Sequence, residues 1–369
     1  MSTVLVTGGA GFIGSHTVDK LIESGYRVIV VDSLIHQVHM GKIPDYLNER
    51  AEYHFFDLLK SRRLQSLLAR SDYILHLAAL TGSAQSYWLV KNYSANNIQG
   101  FATIMDILLK EKQIRKQIKK IVYASSSYVY GEGAYDCSVH GDIFPDLRSL
   151  DSLRNQKWEI FCSLCGNSLS PVGVTEKKPI QTPNPYALSK YYAERLGEQF
   201  SEILDIPYLA FRYFNVYGAR QSPVNPYTGV IVAFANRLLN NKPPIIYEDG
   251  NMSRDFVEVR DVAKANVDSI ERGEGIYNLG TGRHRSVLEI AKILMTKLGI
   301  ELDPIISNDS RPGDIRHIFS DNSKFYDTFG HYNFTSLEKG LEDYVASYRR
   351  IRFPDRSGLA EEKRKRYFG

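Results

Sequence analysis

Short apolar runs alternate with amphipathic stretches along the first half of the chain. Strand-like runs occupy Val4–Thr7, Tyr26–Asp32, Tyr53–Phe56, Tyr73–Ala78 and Lys120–Ala124, and helix-like sequence separates them. Strands that are apolar throughout and alternate with helices are typical of a parallel sheet covered on both faces. The pattern therefore predicts an α/β fold built on a doubly wound parallel sheet.

The periodicity is lost between residues 131 and 185, where Cys, Gly, Pro, Ser and Asp are frequent. A structureless connection of that length is uncommon in a compact domain, so we expect an insertion with its own organising centre. A further strand is expected at Tyr208–Tyr213. Beyond it, helices around Val230–Asn240, Ser286–Leu298 and Ser336–Arg349 mix with short strands, which indicates a smaller second domain.

Composition narrows the class of protein only slightly. Of the 369 residues 43% are hydrophobic and 24% are charged, which excludes a largely disordered chain and suits two domains. The net charge of +4, from 46 basic and 42 acidic residues, argues against a nucleic-acid partner. The sequence shows neither a basic leader nor an apolar run of about 18 residues, so we expect a cytoplasmic protein without a membrane partner.

Candidate chemistry begins directly after the first strand, with three glycines spaced as G-x-x-G-x-x-G. Such glycines allow a tight turn and close approach of the backbone to a pyrophosphate, and the helix that follows offers free N–H groups. Asp32 ends the second strand and can accept hydrogen bonds from an adenosine ribose, while repelling a 2′-phosphate. The segment therefore predicts a Rossmann-type site for NAD, formed by Gly8, Gly11, Phe12, Ile13, Gly14 and Asp32.

Asp57 and Leu58 follow the third strand and form a plausible adenine edge. Asp57 is equally suited to cap the next helix, and the two roles are compatible.

Tyr186 and Lys190 are four residues apart on a predicted helix and so share one face. A phenol with a pKa near 10 is a poor base at neutral pH, and a neighbouring ammonium is expected to lower that pKa. Alone, this spacing is a common accident of a solvated helix. However, a predicted strand is followed by three serines, Ser125, Ser126 and Ser127, at the carboxyl edge of the sheet, where open α/β sheets bind ligands. The alternative role of any one of these serines is to cap the end of the strand.

These motifs resemble the extended short-chain dehydrogenase/reductase family, specifically its nucleotide-sugar epimerases and dehydratases, over nearly the whole chain. The matching segments are TGGAGFIGSH (7–16), HLAA (76–79), NNIQG (96–100), SSSYVYG (125–131), YALSK (186–190), RYFNVYGARQ (212–221), SRDFVEVRDVA (253–263), YNLGTG (277–282) and RPGD (311–314).

The resemblance implies a catalytic set of Ser126, Tyr186 and Lys190, with Tyr186 as the base. It implies that Asn97 supports the active-site helix within the cofactor region, whose further members are Leu77, Ala78, Ala79, Tyr186, Lys190 and Tyr213. It also implies a substrate site that contains Thr81, Ser126, Ser127, Asn215, Val230, Arg254, Arg311 and Asp314.

In that substrate site Arg254 and Arg311 would bind the diphosphate, for which guanidinium geometry is well suited. Without the motifs, surface ion pairs of Arg254 with Asp255 and of Arg311 with Asp314 would be preferred.

Dehydratases of this family carry an Asp-Glu pair straight after the catalytic hydroxyl residue, whereas Ser127 and Tyr128 stand at those positions here. The resemblance therefore implies NAD-dependent epimerisation of a nucleotide sugar at C4 through a 4-keto intermediate, in polysaccharide biosynthesis. The alternatives are a nucleotide-sugar oxidoreductase or dehydratase of the same family, or a non-catalytic NAD-binding scaffold.

All three cysteines lie within the insertion, and their odd number argues against a disulfide framework. They form C-x2-H and C-x2-C pairs, Cys137 with His140 and Cys162 with Cys165, each followed by a glycine. Three thiolates and one imidazole make a closed tetrahedral set for a structural Zn2+. The alternative is three buried free thiols. A cysteine-rich insertion before the catalytic tyrosine also resembles the dTDP-L-rhamnose 4-epimerase type of branch.

The resemblance implies a substrate that is a nucleotide sugar. It also implies a homodimer whose interface is formed by the helices after Asn97 and around Tyr186. The expected parts are an NAD-binding Rossmann domain at 1–215 with 254–275 returning to it, a zinc-ribbon-like insertion at 134–182, a mixed α/β nucleotide-sugar-binding domain at 216–253 and 276–352, and a basic tail at 353–369.

Overall fold

The computed structural model describes residues 1–225, 227, 229–348, 358, 362, 363, 366 and 367. Through residue 126 the elements are β1 (Thr3–Thr7), α1 (Phe12–Glu23), β2 (Arg27–Asp32), α2 (His36–His39), β3 (Glu52–Phe55), α3 (Ser61–Leu68), β4 (Tyr73–His76), α4 (Ser83–Ser86), α5 (Val90–Tyr93), α6 (Gly100–Lys110), α7 (Lys112–Gln117) and β5 (Lys120–Ser126). A π-helical stretch, Ser94–Gln99, joins α5 to α6, and a 3-10 turn, Ser127–Tyr130, follows β5.

The insertion and the remaining chain add shorter strands and the long active-site helix. In chain order these elements are β6 (Ala134–Cys137), β7 (Gly141–Ile143), α8 (Leu150–Arg154), β8 (Ser170–Val172), α9 (Pro185–Leu204), β9 (Tyr208–Tyr213), β10 (Asn215–Tyr217), α10 (Val230–Leu239), β11 (Ile245–Ile246), β12 (Ser253–Glu258), α11 (Val259–Asp268), β13 (Gly275–Leu279), β14 (His284–Ser286), α12 (Val287–Leu298), β15 (Ile305–Ile306), β16 (His317–Ile318), α13 (Ser323–Phe329) and α14 (Leu337–Tyr348).

Within the described residues, seven parallel strands form one large sheet in the order β13-β9-β5-β4-β1-β2-β3. Helices α3, α6 and α9 bury apolar side chains on one face, and α1, α11 and α13 do so on the other. The strands are apolar throughout because both faces are covered. The prediction of a doubly wound α/β fold is confirmed.

The division into two units differs in detail from the expected boundaries. β13 pairs with β9 at the edge of the large sheet, although residues 276–352 were expected in the smaller domain. Conversely, β12 belongs to the small sheet with β10, β14 and β16, although Val257 near its end already packs in the core of the large sheet, ahead of α11. Ile276, Tyr277 and Leu279 are buried in the cores of the large sheet, which explains why β13 joins it.

The insertion contains a three-stranded antiparallel sheet in the order β7-β6-β8. Its own apolar cluster is small and consists of Tyr135, Cys137, Cys162 and Leu169. So few buried residues cannot stabilise a unit of this size alone, so it depends on its contacts with the rest of the chain or on a metal.

Among the described residues, no helix is both long and apolar enough to cross a membrane. The expected basic tail, 353–369, lies mostly outside the described residues.

Candidate active site

A cavity of about 600 Å3 opens at the carboxyl ends of the large sheet, between that sheet and the smaller unit. Its walls come from the segments that follow β1, β2, β3, β4, β5 and β9, which is where open α/β sheets bind ligands. The predicted residues that line it are Gly8, Gly11, Phe12, Ile13, Gly14, Asp32, Asp57, Leu58, Leu77, Ala78, Ala79, Thr81, Ser126, Ser127, Tyr186, Lys190, Tyr213, Asn215, Val230, Arg254, Arg311 and Asp314.

The glycine loop after β1 is packed too closely for side chains. A Cβ on Gly14 would lie 2.0 Å from the carbonyl oxygen of Gly8, and Gly8 itself has a φ of +72°. The N-cap of α1 is Gly11, which has no side chain to accept from the first-turn N–H groups. Those groups are therefore available to an anionic ligand at the cavity wall, as a dinucleotide phosphate requires.

Two carboxylates, at or just after the ends of β2 and β3, also line the cavity. Asp32 accepts backbone N–H bonds from Ala10 at 3.1 Å and Leu34 at 2.9 Å, which fixes its position. Asp57 accepts from the N–H of Leu59 at 3.0 Å and so orders the turn before α3. The N-cap of α3 is Lys60 rather than Asp57, so the capping alternative for Asp57 is wrong by one turn.

The active-site helix α9 begins at the cavity because of a local capping signal. The Asn184 side chain accepts the N–H of Ala187 at 2.9 Å, and Pro185 occupies the first helical position. Tyr186 thus lies in the first turn and Lys190 one turn later. The Ser126 side chain lies close enough to Tyr186 to favour its charged form, and both residues line the cavity together with Lys190.

The charges of this trio differ from the expectation. Desolvation raises the pKa of Tyr186 to about 12, against a smaller lowering by the nearby Ser126 side chain. Desolvation also lowers the pKa of Lys190 to about 7, and its Nζ donates to the carbonyl of Ala124 at 2.7 Å. Because Lys190 is turned to this carbonyl, the protein alone does not lower the tyrosine pKa as predicted.

Asn97 does not line the cavity. It is 1% exposed, and its Nδ2 donates to Ser189 Oγ at 2.9 Å and to the Leu80 carbonyl at 3.1 Å. Its Oδ1 accepts from the N–H of Leu80 at 2.8 Å. Asn97 therefore ties the chain after β4 to the active-site helix, which is the supporting role that the resemblance implies.

The two predicted arginines differ in their partners. Arg254 is buried and donates to the carbonyls of Ile315 at 2.6 Å, Ser253 at 2.8 Å and Arg316 at 3.2 Å. An ion pair of Arg254 with its neighbour Asp255 is therefore wrong.

Arg311, by contrast, does pair with Asp314 at 2.9 Å while its guanidinium lies over the Tyr247 ring. Arg311 thus forms the ion pair with Asp314 and also lines the cavity.

A sequence model of the NAD dependent epimerase/dehydratase family matches residues 4–143 and 163–280, more than half of the chain. The chain belongs to this family. The gap in the match falls inside the cysteine-rich insertion. The prediction of an extended short-chain dehydrogenase/reductase of the nucleotide-sugar epimerase kind is thereby confirmed.

Two relatives within the epimerase family are similar over most of their length. A dTDP-L-rhamnose 4-epimerase from Burkholderia thailandensis is 31% identical over 344 residues, 92% of each protein. A putative UDP-glucose 4-epimerase from Methanocaldococcus jannaschii is 35% identical over 327 residues, 87% of this chain and 90% of the relative.

Solved epimerase structures show the same fold. The Thermotoga maritima UDP-glucose 4-epimerase with UDP-glucose gives a TM-score of 0.74 at 31% identity, over 94% of this chain and 99% of that one. The Thermus thermophilus UDP-glucose 4-epimerase in complex with NAD gives 0.75 at 26% identity, over 95% and 99%. NAD-bound neighbours of this kind support NAD as the cofactor class of the family site.

The epimerase cavity is also lined by aromatic residues that the sequence did not indicate as site residues. They include Tyr87, Trp88, Tyr128, Tyr227 and Tyr247. Tyr128 lies in the SSSYVYG segment (125–131). Tyr227 and Tyr247 lie in NPYTGVIVAFANRLL (225–239) and PPIIYEDG (243–250), two segments that also resemble the branch with the cysteine-rich insertion. The others lie in loops or short turns whose position depends on distant parts of the chain.

Beside the epimerase cavity, the insertion brings the two cysteine-containing pairs together. The donor atoms of Cys137, His140, Cys162 and Cys165 lie within 4.8 Å of one another. Cys137 Sγ is 3.7 Å from Cys165 Sγ, and His140 Nδ1 is 3.6 Å from both Cys137 Sγ and Cys162 Sγ. Ligands bound tetrahedrally to Zn2+ at about 2.0–2.3 Å lie about 3.5–3.8 Å apart, so this donor set fits such an ion.

Proposed function

We propose that the protein is an NAD-dependent 4-epimerase of a nucleotide-diphosphate sugar, with dTDP- or UDP-sugars as substrates. The observation that carries the proposal is the convergence of Tyr186, Ser126 and Lys190 at one end of the cavity whose other end holds the glycine loop and Asp32. Ser127 and Tyr128 follow the catalytic serine, so no carboxylate is placed there for dehydration.

Each of the residues that line the cavity has a separate role in the proposed reaction. Tyr186 takes the proton from the sugar 4-hydroxyl and returns it after the keto-sugar has turned over. Ser126 lies beside Tyr186 on the cavity wall and is placed to donate to the same hydroxyl, and Lys190 occupies the next turn of the helix. NAD held by the glycine loop and Asp32 would supply the hydride acceptor and donor for C4. Arg254 and Arg311 hold the diphosphate, with the aromatic walls around the sugar.

The direct test is a panel of dTDP- and UDP-sugars incubated with the purified protein, with the C4 configuration followed by NMR. We expect interconversion of at least one pair of C4 epimers without added reductant. A protein that carries NAD and turns over no member of the panel would instead be a non-catalytic scaffold. Net formation of an oxidised or dehydrated sugar would favour the alternative reactions.

Replacing Asp32 by asparagine is expected to reduce the preference for NAD over NADP by about tenfold, since a charged acceptor contributes about 1.5–3 kcal/mol to such a bond. The amide removes the repulsion of a 2′-phosphate and weakens the acceptor for the ribose hydroxyls. The measurement is a titration of both cofactors into the protein. Asp45→Asn, which changes an exposed carboxylate outside the cavity, is the matched control. An unchanged preference would place the ribose elsewhere.

We propose a structural Zn2+ at Cys137, His140, Cys162 and Cys165. Support comes from the donor spacing and from the closed set of four protein ligands, which leaves no position for a substrate. The apolar cluster of the insertion is too small to stabilise its fold alone, and metal binding would supply the missing folding free energy.

We also propose a homodimer formed through α9 and α6. Leu188 and Tyr192 are one turn apart on α9 and are 55% and 49% exposed, and Leu109 on α6 is 45% exposed. Contiguous exposed apolar side chains on packed helices are typical of protein interfaces.

Leu188→Glu is accordingly expected to convert the dimer to a monomer, measured by light scattering at micromolar concentration. A buried glutamate at an apolar interface costs several kcal/mol of association. The matched control is Ile43→Glu, because Ile43 is 62% exposed in a distant loop. A wild-type protein that is monomeric at all concentrations contradicts the proposal.

A further inference from the structure

A buried ion-pair network connects the insertion to the smaller unit. Arg148, between β7 and α8, donates from Nη1 and Nη2 to the two oxygens of Glu248, both at 2.9 Å. The two side chains are 4% and 0% exposed. A buried bidentate pair is geometrically specific, and removal of one partner from a buried ion pair is strongly destabilising.

Arg316 completes this network from the other side. Its side chain is 0% exposed and donates to Glu248 at 3.1 Å and to both oxygens of Asp249 at 2.7 and 2.8 Å. It also contacts Glu159 of the insertion. Residues from two parts of the chain thus share one set of buried charges.

The network ends on the loop that carries the predicted diphosphate contacts. Arg148 Nη2 donates to the carbonyl of Asp314 at 3.0 Å, next to the Arg311–Asp314 pair on the cavity wall. The following carbonyls, those of Ile315 and Arg316, accept from the guanidinium of Arg254. The loop backbone therefore sets the position of both cavity arginines.

Both halves of the cysteine cluster lead directly to this loop. Before Cys162, the carbonyl of Trp158 accepts from Arg148 at 3.4 Å, and Glu159 contacts Arg316. Before Cys137, the Tyr135 hydroxyl donates to Glu132 at 3.0 Å. The Glu132 carboxylate in turn accepts the N–H groups of Arg316 and His317 at 2.8–3.1 Å.

We infer that Arg148 is a positioning residue for substrate binding, and that the insertion serves as the support on which Arg254 and Arg311 are held for a nucleoside diphosphate. The inference rests on the proposed function, which assigns the diphosphate to those two arginines. Arg148 touches neither the NAD end of the cavity nor the catalytic trio. Its loss therefore weakens diphosphate binding and leaves NAD binding and the chemical step in place.

The test uses the full chain with Arg148→Gln, and Arg154→Gln as the matched control, since Arg154 is an exposed arginine of the same insertion. UDP, dTDP and NAD are titrated separately by calorimetry, and KM and kcat are measured on the active sugar. We expect Arg148→Gln to bind the preferred nucleoside diphosphate at least tenfold more weakly and to raise KM by a similar factor. The values of kcat and NAD affinity should stay within threefold, and Arg154→Gln should match the wild type.

A second variant keeps the test decisive if Arg148→Gln does not fold. Arg148→Gln/Glu248→Gln removes both charges of the pair and leaves Arg316 with Asp249, and the same tenfold loss is expected. Wild-type protein stripped of metal by a chelator should show a loss of UDP or dTDP affinity in the same direction.

Unchanged diphosphate affinity in a folded variant overturns the inference, and so does an equal loss of NAD affinity or a fall in kcat alone. Wild-type protein that binds NAD but neither UDP nor dTDP also overturns it. If the wild type binds a nucleoside diphosphate but epimerises no sugar, the proposed function fails while the diphosphate titrations still decide the role of Arg148.

Discussion

Tyr186→Phe is expected to lower turnover about 10³-fold, because it removes the only proton-transferring atom of the side chain and keeps the ring. General acid–base groups contribute about 10²–10⁴-fold to enzymatic rates. Tyr186 and Ser126 lie at the ends of α9 and β5, whereas the glycine loop and Asp32 lie at the ends of β1 and β2. NAD content should therefore be unchanged. The measurement is the rate of C4 epimerisation by NMR, with bound NAD determined by absorbance.

The control for this change is Tyr192→Phe, the same substitution on an exposed position of the same helix. It should retain wild-type turnover. Turnover of Tyr186→Phe within a few-fold of the wild type would show that another group accepts the proton, and the assignment of the trio would then be wrong.

Cys162→Ser is expected to release the metal and to lower the free energy of unfolding by about 4 kcal/mol or more. Structural Zn2+ contributes about 10–16 kcal/mol of apparent binding energy in small domains, and a serine cannot replace a buried thiolate ligand. For a chain of this size we expect the melting temperature to fall by about 5 °C. Zinc content is measured by emission spectroscopy and melting by calorimetry.

The control is Ser163→Ala, because Ser163 lies between Cys162 and Cys165, is exposed and does not belong to the ligand set. It should keep full zinc content. Wild-type protein that takes up no zinc when the metal is supplied, and melts at the same temperature as Cys162→Ser, would mean that the cysteines are free thiols.

The sequence predicted those features that depend on neighbours along the chain. The apolar strands before Gly8 and Asp32, the glycine spacing and the four-residue step from Tyr186 to Lys190 each follow from a local rule, and the structure places these residues on one cavity. The capping of α9 is of the same kind, because Asn184 and Pro185 precede the helix directly.

Features that depend on distant partners were predicted less well. Asn97 is held by Leu80 and Ser189, and Arg254 by carbonyls some 60 residues away, so neither arrangement has a signal in the surrounding sequence. The pKa of Tyr186 rises because of burial, which spacing along a helix does not report. The edge position of β13 likewise depends on the core that it completes.

The π-helical stretch, Ser94–Gln99, restricts how the length of this part of the chain can change. It lets Tyr93 before it and Phe101 after it both face the interior while Asn97 reaches α9. Deleting one residue would restore a regular α-helix but rotate everything beyond it by about 100°. A related sequence that is one residue shorter here would therefore lose either the buried side of α6 or the Asn97 contact. When a related sequence shows a one-residue gap at this point, we expect its active-site helix to be held by contacts other than the one from Asn97.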